Sequence, residues 1–227
     1  MKKLTLLSLV GVSIVALSSN AYAASATAPS SSFGSSSLAI TQVGSGINSD
    51  VSMIGLRNHT YLSITGDGST GNVSQTGNRN RARVTTTGGQ VSSDVVQRGK
   101  HNHVIINSKG DFNNVATKQV GNDNAISVRQ DGGYLNTEVL QRGNNDTAVV
   151  RVGLNASSAN DTTTLSQIGG DFNNAYIAND GVGNVVAVSQ NGSNNNIKSV
   201  LNDNYANINA VQTGSNNNAT IKVLTAR

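Results

Sequence analysis

The sequence predicts an all-β chain, a two-sheet parallel β-solenoid in which about eight strand-turn-strand repeats of 22 residues stack as a cross-β column. Three observations predict it. Glycine returns every eleven residues ten times in succession, at Gly44, Gly55, Gly66, Gly77, Gly88, Gly99, Gly110, Gly121, Gly132 and Gly143, in a chain with 24 glycines among 227 residues. Glutamine returns every 22 residues at Gln75, Gln97, Gln119 and Gln141, and again at Gln167, Gln190 and Gln212 after two small slips. Between the glycines, apolar and polar residues alternate over short runs, the period of a strand with one buried face.

The chain opens with Lys2 and Lys3, an apolar run from Leu4 to Leu17, and the small-residue ending "SSNAYA". This pattern predicts a secretory signal peptide over residues 1–23, cut after Ala23. The run is too short for a comfortable membrane span. Residues 24–35, "ASATAPSSSFGS", read as a flexible Ser-rich leader rather than a cap. The repeat array then occupies 36–227, with insertions near 154–162 and 170–174 that restore the phase, as loops on a repeating scaffold do.

Composition fits this architecture. Cysteine and tryptophan are absent, three Phe and five Tyr are the aromatics, and Glu138 and Pro29 stand alone in their types. A bulky core is not available, and Val, Ile, Thr, Gly and Asn favour strands joined by tight turns. Apolar residues lie two positions before the eleven-residue markers, at Ile40, Val51, Leu62, Val73, Val84, Val95 and Ile106. That pattern excludes the disorder that Asn, Gly and Ser would otherwise suggest.

Alternate markers are not equivalent. One parity is nearly pure Gln and the other is mixed, so the repeat holds two different strands. Five residues beyond the Gln series stand Asn80, Asn102, Asn124, Asn195 and Asn217, and two beyond it the turn glycines Gly77, Gly99, Gly121, Gly143, Gly169, Gly192 and Gly214. A meander of hairpins gives no reason for Gln to return at 22. A solenoid does, because like residues lie above one another and inward amides can bond along the axis. The expected stack is about 40 Å tall, with sheets about 10 Å apart. The final "NNATIKVLTAR" keeps Ile221 and Val223 in register, so an uncapped last coil is expected, a template for another copy.

The repeated pattern resembles the curlin repeat, Ser-x5-Gln-x-Gly-x-x-Asn-x-Ala-x3-Gln, over roughly residues 36–225. "STGNVSQTGNRNRARVT" carries it at Ser69, Gln75, Gly77, Asn80 and Ala82, with Thr86 in place of the second Gln. Gln119, Gly121, Asn124 and Gln130 match with Ile126 in the Ala position; Gln141, Gly143 and Ala148 match with Asp146 for Asn; Gln212, Gly214, Asn217 and Ala219 close the series. The leading Ser is replaced at Val91, Asn113 and Leu135. The resemblance implies a subunit of curli functional amyloid: an extracellular cell-surface fibre for adhesion and biofilm matrix, a homopolymer working with a second curlin-type subunit and exported through a dedicated outer-membrane pore. Seven Gln-x-Gly copies suit a main subunit, whereas the basic end "IKVLTAR" leans toward the minor nucleator.

Other function classes find little support. The acids fall singly, often in turns, as at Asp67, Asp111, Asp123, Asp131 and Asp171, rather than as the paired carboxylates of a polysaccharide-cleaving groove. No enzyme and no cofactor is expected. His101 and His103 lack a third ligand for a metal. The formal charge of +4, which becomes +2 without Lys2 and Lys3, does not suggest nucleic acid, and the cluster Arg79, Arg81 and Arg83 reads as a solvated strand face. A monomeric binding solenoid is the alternative of another class, but no outward Thr ladder recurs.

Overall fold

The computed structural model describes residues 12–16, 24–27, 36–153 and 159–224. Two parallel sheets stack as a β-solenoid. The ten-stranded sheet holds, in spatial order, Val12–Ala16, Ser37–Val43, His59–Thr65, Arg81–Thr87, His103–Lys109, Ala125–Asp131, Thr147–Val152, Asn174–Asp180, Asn196–Asn202 and Asn218–Leu224. The nine-stranded sheet holds Ala24–Thr27, Asn48–Ile54, Thr70–Asn78, Ser92–Lys100, Asn114–Asn122, Asn136–Arg142, Thr162–Ile168, Val185–Asn191 and Asn207–Thr213. The chain alternates between the sheets, so each strand pairs with the second strand along the sequence.

The register is the 22-residue repeat. Gln75 lies beside Gln97 and Gln97 beside Gln119, and across the other sheet Val84 lies beside Ile106 and Ile106 beside Val128. The two slips are absorbed outside the strands. Gln141 meets Gln167 and Val152 meets Asn179, and alignment resumes with Gln190 beside Gln212. Part of the first insertion, 154–158, lies outside the described residues.

Alternation decides which faces are buried. Each regular strand turns three side chains inward: Thr60, Leu62 and Ile64 in one coil, and Thr163, Leu165 and Gln167 in another. Val, Ile and Leu from the two sheets meet in one continuous core running the length of the stack. Outward neighbours such as Arg83, Lys118 and Arg129 stay in water or half-covered. β-Branched side chains dominate because they suit a pleated, crowded surface at little rotamer cost.

The first edge differs from expectation. Ala24–Thr27, read from sequence as part of a flexible leader, is a strand paired in parallel with Asn48–Ile54. Val12–Ala16, inside the expected signal peptide, pairs with Ser37–Val43 in the uncleaved chain. The rest of both segments lies outside the described residues. The physical reason is the edge itself: the first coil presents a row of unpaired N–H and C=O groups, and a nearby extended segment of the same chain satisfies them. At the other end, Asn207–Thr213 and Asn218–Leu224 each pair on one side only among the described residues.

The packing makes a direct prediction. Leu165 is fully buried, whereas Ser166, its chain neighbour, faces outward. Leu165→Ala lowers stability by about 2–5 kcal/mol and Ser166→Ala by no more than about 0.5 kcal/mol, measured by denaturant unfolding of the soluble chain.

Candidate functional site

An inward Gln between two sheets is costly unless both its N–H hydrogens and its carbonyl find partners. The stack supplies them. Gln75 donates from Nε2 to Oε1 of Gln97 at 2.8 Å, and the same bond recurs from Gln97 to Gln119, Gln119 to Gln141, Gln141 to Gln167, Gln167 to Gln190 and Gln190 to Gln212, each at 2.9 Å. The second N–H of each amide donates across the core to the carbonyl that begins the opposite strand. Gln97 reaches Arg81 O at 3.1 Å, and Gln167 reaches Thr147 O at 3.1 Å. Six of these glutamines are fully buried, and Gln212, in the last coil, is 7% exposed. The seven expected ladder glutamines therefore form one unbroken column.

The Asn column is built differently from the amide-to-amide stack expected from sequence. Asn80 donates from Nδ2 to the carbonyl of Gly99 in the next coil at 3.0 Å, and its Oδ1 accepts the backbone N–H of Asn102 at 3.1 Å. Asn102 repeats this with Gly121 and Asn124, and Asn195 with Gly214 and Asn217. The reason is reach. Asn is one methylene shorter than Gln and sits at the corner, where turn backbone lies closer than the neighbouring side chain. Asn58 belongs to the same column.

Glycine lines this corner because coils approach too closely for a side chain. A Cβ on Gly99 would collide with the carbonyl oxygen of Gly121, and its φ of +121° lies where only glycine is comfortable. The column runs Gly77, Gly99, Gly121, Gly143, Gly170, Gly192 and Gly214. Gly170, not the expected Gly169, abuts Gly143 and Gly192; Gly169 is the inserted residue and takes its own left-handed φ of +71°. Counting from Gln167 alone could not separate two adjacent glycines.

The opposite corner holds the leading position of the motif, matched at Ser69 and replaced at Val91, Asn113 and Leu135, and Asn184, which the sequence reading missed. Asn113 donates to Gly132 O at 2.9 Å and Asn184 to Asp203 O at 2.7 Å, and Ser69 makes a shorter version to Gly88 O at 3.0 Å. Val91 and Leu135 fill the same column with apolar bulk. The available signal was the 22-residue spacing of these positions, which places them in one buried corner.

Two aspartates occupy buried corners, Asp146 in the Asn column and Asp161 in the mixed column between Leu135 and Asn184. Asp146 accepts from the backbone N–H of Asn173 at 2.9 Å through Oδ1, and Asp161 accepts likewise from Asn184 at 2.8 Å. Oδ2 of each is buried without a partner. An Asn there would donate to the next coil, and a carboxylate has no hydrogen to give. Burial pushes both carboxyls up to about 6, opposed by the bonds from Asn173 and Asn184 and reinforced by nearby Asp171 and Asp180. His101, in a turn, lies 3.4 Å from Asp123, and His103 lies on the adjoining strand. Among the described residues no three His, Cys, Asp or Glu side chains converge as metal ligands.

A scan against protein-family models, a search of curated proteins and a search of solved structures each found no match to this chain.

The two aspartates set a pH dependence. A carboxyl whose folded pKa lies above its unfolded value of 3.8 binds its proton more tightly when folded. Its contribution is complete below about pH 4 and is lost as pH rises through about 6. Asp146→Asn and Asp161→Asn each raise stability at neutral pH, by about 1–3 kcal/mol, and together flatten the decline between pH 4 and 7 in denaturant titrations.

Proposed function

We propose that the chain is a structural subunit of an extracellular, curli-like functional-amyloid fibre, which assembles end to end on the cell surface and serves adhesion and biofilm matrix. The observation that carries this reading is the last coil. Asn58, Asn80, Asn102, Asn124 and Asn195 each donate to a glycine carbonyl one coil further on, and Asn173 turns back to the carboxylate of Asp146 at 3.2 Å. Asn217, with no further coil among the described residues, turns back to Asn195 Oδ1 at 3.0 Å and Thr213 O at 3.1 Å. Gln212 accepts from Gln190 and donates to Asn196 O, and among the described residues there is no further glutamine to take the hydrogen that its predecessors give along the axis. Ala219, Ile221 and Val223 lie only partly covered against the core. These are the groups that a further coil would pair and bury.

The strand count supports the same assembly. Removal of residues 1–23 takes Val12–Ala16 from the ten-stranded sheet and leaves nine strands in each. A second copy can then place Ser37–Val43 on Asn218–Leu224 and Ala24–Thr27 on Asn207–Thr213 without leaving a gap in either sheet. The curlin-like motif supports the family assignment, and with it the secretion pore and the second curlin-type subunit. The basic end "IKVLTAR" favours a second reading, the minor surface-bound nucleator.

A chain starting at Ala24 converts, after a lag, from a soluble form into β-rich fibres that bind amyloid dyes. Gln75→Ala and Gln212→Ala lengthen the lag more than Arg83→Ala and Lys118→Ala, because only the first pair breaks the buried column. A chain that stays monomeric at high concentration for days contradicts fibre formation. A nucleator would instead act at trace amounts, shortening the lag of a second subunit without forming the bulk of the fibre.

A further inference from the structure

The scaffold fixes which positions point outward but leaves their identity free, so local departures from the repeat at such positions report something other than folding. One departure is concentrated in three successive coils. In the turn column, whose residues share a left-handed backbone with φ near +57°, the side chains run Arg57, Arg79, His101, Asp123, Asn145, Phe172, Asn194 and Asn216. In the adjacent strand column they run His59, Arg81, His103, Ala125, Thr147, Asn174, Asn196 and Asn218. Six basic or imidazole groups thus lie together, while the later coils hold neutral residues at most equivalent positions. The solenoid does not require the charges.

These six side chains, with Asn102, line an open cleft of about 370 Å3 that follows the stack axis. Arg79 donates from Nη1 to His101 Nε2 at 3.3 Å, and His101 Nδ1 faces Asp123 at 3.4 Å. Burial, and then the charge of Arg81, hold the His103 imidazole below its ordinary range. Arg57, Arg79 and Arg81 carry permanent positive charge; Arg57 and Arg79 lie roughly one coil rise of 4.8 Å apart along the axis, and Arg81 opens the strand that follows the Arg79 turn.

We infer that this groove binds a linear acidic polysaccharide, with the guanidinium groups of Arg57, Arg79 and Arg81 pairing to carboxylate or sulfate groups spaced along the sugar chain. The geometry favours an extended polyanion over a discrete phosphate. A small anion is best held by converging backbone N–H groups, and here those of Arg79 and His101 already bond the preceding coil, at Leu56 O and Asn78 O. It also gives the bases of a single nucleic-acid strand no aromatic face in the lining on which to stack. The groove lining contains none; the nearby ring of Tyr61, itself exposed, carries the Arg83 guanidinium over one face at 5.5 Å. Guanidinium forks match carboxylate and sulfate oxygens in pairs and are weakly hydrated, which suits ligands of this kind.

The test is titration of the full chain with polygalacturonate, heparin, neutral dextran and a single-stranded oligonucleotide of matched charge. Arg57→Asn, Arg79→Asn and Arg81→Asn are combined in one variant, since Asn is the residue that other coils carry in these two columns. An unchanged β-rich spectrum verifies folding. Binding of polygalacturonate or heparin that weakens with salt, and that falls about tenfold or more in the variant, supports the inference. The dextran arm gives no binding. The remote pair Arg129→Asn and Arg151→Asn leaves affinity within about twofold. Equal losses from the remote pair, absence of binding to both acidic polysaccharides, or tighter binding of the oligonucleotide overturns it.

Discussion

A primary amide sealed between two sheets has donors and an acceptor that water cannot reach, and its neighbours decide whether it stabilises or wrecks the fold. In this chain the neighbour is the same amide one coil away. That reciprocity makes the 22-residue spacing obligatory: a shift of one residue would turn every Gln outward and leave the axis without its column of bonds. Parallel stacking, the in-register sheets and the glycine corner all follow from keeping like above like. The apolar core fills the remaining space, but Val and Ile alone would tolerate several registers; the amides select one.

Two kinds of side chain therefore divide the work. Inward positions are constrained by the coil above and the coil below, which explains why Gln and Gly recur so faithfully. Outward positions face water and vary freely, from Arg83 to Ile105 to Ser127 along a single column. The basic groove occupies this unconstrained layer. Asp146 and Asp161 are the opposite case, charges placed in constrained corner positions where Asn would be better satisfied, and they weaken the coils beside the main insertion as the pH rises.

Much of this was legible in the sequence because periodicity is a property of spacing, and spacing survives without any knowledge of contacts. The strands, their parallel register, the Gln column and the phase-restoring insertions could all be counted from residue numbers. What could not be counted was chemistry at short range. The choice between Gly169 and Gly170 depends on which carbonyl approaches Gly143. The Asn column bonds to backbone rather than to itself because of one missing methylene. Ala24–Thr27 looked flexible because its composition is low in complexity, yet an open sheet edge pairs with whatever extended segment lies within reach.

The central claim is that one chain winds on itself, so that the partner of a buried glutamine is a different residue of the same molecule. Solid-state NMR on fibres in which labelled chains are diluted into unlabelled ones measures this directly through side-chain nitrogen-to-carbonyl-carbon contacts. The account predicts that contacts from Gln75 to Gln97 and from Gln97 to Gln119 survive dilution. Contacts that disappear on dilution and link each glutamine to its own counterpart in another chain would contradict it, because the molecules would then be stacked flat rather than coiled.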